Sequence, residues 1–252
     1  MKLGFLAIDL AAKAAAVVLW AHSRWAAAAF FFVPDFCLLY ALLAPSAQLL
    51  VRVYTRFDAA GPEVCLTIDD GPDERDTPRL LDLFDVHGAR AVFFLIGSRA
   101  ARHPELVAEI LRRGHAVAHH THTHPAGTFW CASAARVRDE LDRGSAALRL
   151  GGAAPRWFRP PVGIKNFFLR RELRERGLAC VGWSLRTNDC LDPDPARIAA
   201  RTLRRVRPGD IILMHEGDSV GPRARVAAIT LVLEGLGARG LRCTVPKPEQ
   251  LR

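Results

Sequence analysis

The chain is short of lysine and tyrosine, and its cysteines follow no regular spacing. The 252 residues contain six cysteines without a C-x-x-C pair, which argues against a disulfide framework and favours free thiols in a reducing compartment. Lysine occurs only four times, so the net charge of +9 comes almost entirely from arginine. The arginines are scattered rather than clustered with aromatic residues, which argues against a nucleic-acid partner. The excess charge is compatible with anionic lipid, an acidic polymer or an ordinary solvated basic surface.

Long apolar runs dominate the N-terminal part of the sequence. Residues 3–21 are mostly apolar and are interrupted by Asp9 and Lys13, which are spaced to pair across one helical turn. Residues 26–51 form a second apolar run with two prolines as kinks. Each run is long enough to cross a hydrocarbon core of about 30 Å. A cleaved signal peptide is the competing interpretation, but the two charges interrupt its apolar core. We therefore expect two membrane segments, with a kinked re-entrant hairpin as the alternative.

The change in composition after these runs predicts a boundary between two parts of the chain. We expect residues 1–56 to form N-terminal membrane-anchoring helical segments and residues 57–252 to form the main domain. The location is then a cell membrane of bacterial type. Too few basic residues flank the two runs for the positive-inside rule to decide which side of the membrane the domain occupies.

The main domain alternates between short apolar runs and longer amphipathic ones. Strands are predicted at 63–68, 91–96, 115–118, 179–183, 210–214 and 241–245. Helices are predicted at 77–87, 103–113, 133–150, 167–176, 195–206 and 222–239. This alternation predicts parallel β-α units and an α/β fold in the form of a (β/α) barrel, either complete or incomplete. Catalytic groups of such barrels gather at the C-terminal ends of the strands.

Two adjacent carboxylates and two histidines carry the strongest chemical signal. Asp69 and Asp70 follow a strand-like run and precede Gly71-Pro72, and His120 and His124 come later in the chain. Residues four apart are neighbours on a helical turn, so the histidines are predicted to share one face. A divalent metal with an open coordination position needs such N and O ligands and a spare carboxylate to handle a proton. The pattern predicts metal-assisted hydrolysis; a plain turn or a histidine-rich tract that only binds metal are the alternatives.

Four short motifs also occur in the order found in one known family. Residues 67–72, T-I-D-D-G-P, resemble the first motif of the NodB-like polysaccharide deacetylases, carbohydrate esterase family four. Residues 120–124 match their H-[ST]-x-x-H motif, residues 159–163 resemble the third motif and residues 213–215 the fifth. The resemblance covers roughly residues 60–245. It implies a barrel of NodB-like deacetylase type and metal-dependent removal of an N-acyl group from an amino sugar.

The resemblance assigns metal binding to Asp70, His120 and His124, with zinc as the most frequent ion in the family. Three protein ligands with an open position are typical of a catalytic zinc site. Asp69 would be the general base that takes a proton from the attacking water. Arg159 would hold the Asp69 carboxylate by charge-assisted hydrogen bonds; a surface arginine before a polyproline turn is the alternative.

Further roles implied by the resemblance fall on later parts of the chain. His215 would be the general acid that protonates the leaving amine, with Asp189 as the carboxylate that keeps the imidazole protonated. A satisfied core histidine is the alternative for His215. The backbone amide of Val162 would donate to the tetrahedral oxyanion. His119 and His122 are expected to flank the site without binding the metal.

The sequence departs from the family pattern at positions that would face the substrate. Val162 stands where the family usually has tyrosine or phenylalanine, which removes an aromatic wall for a sugar. In the fourth motif, D-x-x-D-W, Arg186 replaces the first aspartate and Cys190 replaces the tryptophan. Arg186 could recognise a phosphate or another anion, or form a plain salt bridge. These changes predict an unusual acceptor.

The resulting hypothesis is a membrane-anchored hydrolase that removes an N-acetyl or other N-acyl group from an amino sugar. The substrate would be an N-acylated polysaccharide, oligosaccharide or glycolipid, and the cofactor a divalent metal ion, with zinc favoured. One alternative is a deacylase or deformylase of a lipid-linked sugar at the membrane. The other is a non-catalytic membrane protein that binds metal or sugar.

Overall fold

In the computed structural model, which describes residues 2–221 and 224–252, short strands alternate with longer helices. The helices are α1 (Lys2–Leu19), α2 (Arg24–Leu43), α3 (Asp76–Val86), α4 (Gly97–Ala100), α5 (Pro104–Arg112), α6 (Ala134–Leu150), α7 (Leu169–Glu175), α8 (Pro195–Arg205) and α9 (Arg225–Ala238). The strands are β1 (Val53–Tyr54), β2 (Glu63–Asp69), β3 (Ala91–Leu95), β4 (Ala116–His119), β5 (Trp157–Phe158), β6 (Ala179–Val181), β7 (Leu185–Arg186), β8 (Ile211–His215) and β9 (Arg242–Cys243).

These strands form one parallel sheet that curls into an incomplete barrel. The order is β1-β6-β5-β4-β3-β2-β8-β7, and β9 also pairs with β2. Strands β2 to β6 lie beside one another in chain order, and β8 returns to the other side of β2. Because β6 pairs with β1 instead of β7, the barrel is open between β1 and β7. This arrangement confirms the predicted fold class, an incomplete (β/α) barrel.

The predicted elements coincide with observed ones to within a few residues. Each of the predicted strands and helices of the main domain has a counterpart. Pro222 and Arg223, at the start of the last predicted helix, lie outside the described residues. The sequence does not predict strands β1, β5 and β7, because two residues are too few to produce a period. Strand β9 is equally short but lies within the longer run predicted at 241–245.

Strand β2 shows why the catalytic candidates point into the barrel. Successive side chains of a strand face opposite sides of the sheet. Leu66 and Ile68 belong to the apolar cluster formed with the surrounding helices, whereas Cys65 belongs to the cluster inside the barrel. Thr67 and Asp69 share the inward face with Cys65, and both contact one buried arginine there. The alternation therefore delivers Asp69 to the interior at the C-terminal strand end.

The N-terminal helices α1 and α2 pack against each other as a hairpin. Lys13 pairs with Asp9 at 2.8 Å, which confirms the pair expected across one turn, and it also contacts Asp35 of α2 at 3.3 Å. Within the described part of the chain, one helix, α2, is long and apolar enough by length and composition to cross a membrane. It ends at Leu43, so the second apolar run is helical over only part of its length.

The hairpin is joined closely to the barrel. Ala41, Leu42 and Leu50 are buried together, and Phe167 packs against them from the barrel side. Strand β1 follows directly and pairs with β6, ahead of the predicted domain boundary at residue 57. The end of α2 and the barrel therefore share one small apolar contact.

Candidate metal centre and active site

The three predicted metal ligands converge at the C-terminal ends of β2 and β4. The Asp70 Oδ1 atom lies 3.5 Å from His120 Nε2 and 3.4 Å from His124 Nε2. Two ligand atoms of a tetrahedral zinc ion, each about 2.0–2.1 Å from the metal, are separated by about 3.3 Å. The buried Asp70 Oδ1 atom has no hydrogen-bond partner among the described residues. The donor set and its spacing therefore fit one divalent cation.

The protonation of these groups also suits a metal. His120 Nδ1 lies 2.7 Å from the carbonyl oxygen of Arg159 and must donate to it, which leaves the Nε2 lone pair facing Asp70. Burial and the neighbouring His120 lower the pKa of His124 to about 4, so its imidazole is neutral at pH 7.

The predicted helical turn at the two histidines is wrong. Residues 120–124 form a loop in which Thr121 and His124 have φ values of 63° and 53°. The Thr121 hydroxyl accepts from the His124 amide at 3.0 Å, and Glu140 accepts from the amides of His122 and Thr123. The histidines therefore meet because a tight loop folds back on itself.

Glu140 is a site residue that sequence reasoning missed. Its side chain is buried on α6 and also accepts from the Thr123 hydroxyl at 2.5 Å. The sequence feature that could have identified it is an acidic residue within the apolar stripe of an amphipathic helix, between Val137 and Leu141. A carboxylate in that position needs several donors, and the histidine loop supplies them.

The first motif is packed tightly around the Asp70 backbone. Arg99 Nη1 donates to the Asp70 carbonyl oxygen at 2.7 Å. A Cβ atom at Gly71 would lie 1.8 Å from Glu216 Oε1, so any side chain at this turn would have to displace the buried Glu216 carboxyl group. Burial raises the pKa of Glu216 to about 8, and the Thr77 hydroxyl donates to its other oxygen at 2.5 Å. The turn is thus a close-packed support for Asp70, the predicted metal ligand.

Asp69, the predicted general base, is bound by a completely buried arginine. Arg159 Nη1 lies 2.6 Å from Asp69 Oδ1, and the Arg159 side chain has 0% exposure. The same guanidinium donates to Thr67 Oγ1 and to the carbonyl oxygens of Val181 and Gly182. The alternative of a surface arginine is therefore wrong. These bonds hold Asp69 in one orientation, with its Oδ2 atom 3.7 Å from His120 Nε2.

His215 ends β8 beside the predicted carboxylate. His215 Nδ1 lies 2.9 Å from Asp189 Oδ1, and the His215 amide donates to Asp189 Oδ2 at 2.7 Å. Burial lowers the pKa of His215, but hydrogen bonds to Asp189 and Cys190 and the charge of Asp69 raise it well above its ordinary value. These neighbours favour the protonated imidazole, the form that a general acid requires.

One cavity of about 300 Å³ is lined by the predicted metal ligands, by the predicted base and by the predicted acid. It is lined by Asp69, Asp70, His120, His124, Val162, Trp183, Arg186, Cys190, Leu213, His215 and Ser219. Arg159 and Asp189 lie behind this lining, where they contact Asp69 and His215. His119 and His122 are outside it and bond to Leu141 and Arg143, as expected for histidines that flank the site.

Comparisons with known proteins agree with this geometry. Residues 58–181 match the family model for polysaccharide deacetylase. A chitooligosaccharide deacetylase of Bradyrhizobium sp. (strain ANU 289) is 36% identical over 189 residues, which cover 70% of this chain and 85% of that protein. The chain belongs to the polysaccharide deacetylase family. Its resemblance to NodB-like, family-four carbohydrate esterases is thereby confirmed.

Two further relatives place this polysaccharide deacetylase within the family. A peptidoglycan-N-acetylglucosamine deacetylase of Bacillus cereus is 32% identical over 181 residues, covering 71% of this chain and 84% of that protein. The solved structure of a family 4 carbohydrate esterase from Streptomyces lividans, in complex with acetate, superimposes with a TM-score of 0.68 at 32% identity. That match covers 77% of this chain and 97% of the esterase.

The departures of this polysaccharide deacetylase from the family motifs all lie at the cavity. The Val162 side chain is 53% exposed in the turn after the two prolines, with a φ of 48°. Trp183, which sequence reasoning missed, supplies an aromatic wall in the segment between β6 and β7. Cys190 lies beside His215, and burial raises the pKa of its thiol. The cavity therefore combines one aromatic wall with Arg186 and small side chains.

Proposed function

We propose that the protein hydrolyses the N-acetyl group of an amino sugar in a glycan or glycolipid. The names of the relatives support an N-acetylated glucosamine substrate. One observation carries the proposal: Asp70, His120 and His124 converge on the cavity that Asp69 and His215 also line. This combination provides a metal site, a base and an acid within reach of one small amide group.

The proposed mechanism assigns a separate chemical role to each of these residues. A divalent cation held by Asp70, His120 and His124, with zinc favoured, would polarise the amide carbonyl and lower the pKa of water. Asp69, held in place by Arg159, accepts a proton from the attacking water. The barrel thus holds the proposed base, the Asp69 carboxylate, in one fixed orientation.

Collapse of the tetrahedral intermediate needs a proton for the departing amine. His215 carries it on Nε2, because Nδ1 is bonded to Asp189. We assign donation of this proton to His215 and orientation of the imidazole to Asp189. The backbone amide of Val162, at the edge of the cavity, is proposed to donate to the oxyanion.

We further propose that the N-terminal hairpin anchors this domain in a cell membrane. Support comes from α2, whose length and hydropathy suffice to cross a bilayer, and from exposed apolar side chains such as Trp25 (87%) and Phe36 (66%). The division at residue 57 is moved to the start of β1, at Val53, because β1 pairs with β6. Residues before it form the anchor and those from it onward the catalytic domain.

Acetate release from N-acetylated chitooligosaccharides by the full-length protein tests the proposal. We expect hydrolysis that stops on chelation and returns with zinc. Asp69→Asn should lower kcat by at least ~100-fold, the usual contribution of a positioned base, while still binding zinc. Asp58→Asn, at an exposed carboxylate paired with Arg252, is the matched control and should stay within about twofold of the wild type. Undiminished turnover by the Asp69 variant would contradict the assigned base, and no turnover of any glycan would favour a binding protein.

A further inference from the structure

The end of α2 is bonded directly to the loop that borders the catalytic cavity. The backbone amide of Lys165 donates to the Leu42 carbonyl oxygen at 2.8 Å. The Lys165 side chain is completely buried, and its ammonium group donates to the carbonyl oxygens of Ala44 and Pro45. Charge-assisted hydrogen bonds of this kind are stronger than neutral ones. The last turn of α2 and the cavity loop are therefore fixed to each other.

The same contact continues into the cavity wall. A Cβ atom built on Gly163 would lie 2.7 Å from the Pro45 Cβ atom and 2.8 Å from Trp183 Cη2, so Pro45 and Trp183 enclose Gly163. Val162, the preceding residue, lines the cavity together with Trp183. If α2 crosses a bilayer and ends at Leu43, then Val162 and Trp183 lie beside the lipid headgroups. In that case the cavity opens close to the membrane surface.

Arg186 adds a charge at this opening. It is exposed, it lines the cavity, and among the described residues it is the only lining lysine or arginine. No carboxylate of the described chain forms an ion pair with it, whereas the nearby Arg197 and Arg201 both pair with Asp192. The alternative of a plain salt bridge for Arg186 is therefore wrong. A guanidinium free at the rim of a sugar site suits a phosphate oxygen.

We propose that the substrate is an N-acyl amino sugar joined through a phosphate group to a membrane lipid. This inference rests on the proposed function and names the class of acceptor. The sugar enters the cavity between Val162 and Trp183, the phosphate meets Arg186, and the lipid stays in the bilayer beside α2. A free sugar phosphate offers the same anion without the lipid, so the experiment must separate the two.

The test uses full-length protein reconstituted in vesicles of phosphatidylethanolamine and phosphatidylglycerol. Three substrates are compared: polyprenyl-phosphate-linked N-acetylglucosamine in the same vesicles, soluble N-acetylglucosamine 1-phosphate, and neutral N-acetylated chitotetraose. We expect kcat/KM to be at least ~10-fold higher for the lipid-linked sugar than for chitotetraose, since one charge-assisted bond is worth about a factor of ten or more. We expect at least ~10-fold higher kcat/KM than for the free sugar phosphate as well, because the lipid holds the sugar at high local concentration beside the membrane-anchored enzyme. Equal kcat/KM for the lipid-linked and free sugar phosphates would overturn the lipid assignment.

The variant Arg186→Gln tests the proposed phosphate contact independently of the other residues of the site. It should lower the ratio of kcat/KM for the lipid-linked sugar over chitotetraose by about tenfold. Arg170→Gln, at an exposed arginine of α7 without an ion pair in the described chain, is the matched control and should leave the ratio unchanged. An unchanged ratio in the Arg186 variant would refute the phosphate contact. Failure to deacetylate any of the three substrates would instead refute the proposed function.

Discussion

Replacing Arg159 by methionine removes a charge that the barrel buries completely. The variant keeps a side chain of similar length but leaves the Asp69 carboxylate without its partner at 2.6 Å. The carbonyl oxygens of Val181 and Gly182 also lose their donor. Breaking a buried ion pair by removing one partner costs about 3–5 kcal/mol. Because a domain is usually stable by only about 5–15 kcal/mol, Arg159→Met should lose a large part of its folding free energy.

The measurement is the urea midpoint of unfolding for the full-length protein in detergent, combined with Asp69→Asn in a double-mutant cycle. If Arg159 mainly compensates the Asp69 charge, the double variant should be more stable than the sum of the single effects by about 2 kcal/mol. Arg156→Met, at an exposed arginine just before β5, is the control and should change stability by less than about 0.5 kcal/mol. Additivity within about 0.5 kcal/mol would refute the charge-compensation argument.

Two further predictions concern the acid and the anchor. Asp189→Asn removes a group that raises the pKa of His215 against the effect of burial, so the loss of activity at alkaline pH should begin at a lower pH than in the wild type. The shift is towards lower pH because His215 can donate a proton only while it is protonated, below its pKa in the folded protein. A kcat–pH profile identical to that of the wild type would contradict this role of Asp189. Lys165→Met leaves the carbonyl oxygens of Ala44 and Pro45 without their buried donor and should destabilise the junction after α2 by about 2 kcal/mol. Faster proteolysis at residues 44–50 is the measurement, with exposed Lys247→Met as the control, and equal cleavage rates would count against the contact.

Much of the site could be predicted because its residues are tied to strand ends. The run before Asp69 is apolar apart from Thr67, as is typical of a parallel strand buried on both faces, and β2 is buried along almost its whole length. Parallel strands bring their C-terminal ends to one side of the barrel. Asp70 and His215 therefore had to lie near each other once β2 and β8 paired, and their register joins Asp69 to His215 directly.

Other features could not be predicted, because they depend on contacts between distant parts of the chain. The left-handed backbone of Thr121 and His124 is stabilised by Glu140, which lies on another element. Lys165 is buried only because three carbonyl oxygens from the hairpin junction and its own loop surround it. Trp183 lies in a short segment whose direction is set by the pairing of β6 and β7 with their neighbours. A local sequence pattern does not indicate which distant residues will contact each other.

The departures from the family motifs have a common physical consequence for substrate choice. Loss of the aromatic residues at Val162 and Cys190 removes two apolar faces on which a sugar ring could rest, and Trp183 remains as a single wall. Arg186, at the same rim, replaces a carboxylate by a guanidinium, so the charge at this position of the opening is reversed. In a pocket with less apolar contact and one more cation, we expect an anion on the substrate to contribute more to selectivity. Trp183 packs against Gly163, and Lys165 of the same loop is bonded to the residues that follow α2. We therefore expect these substitutions to favour the proposed charged sugar at the bilayer over a soluble neutral glycan.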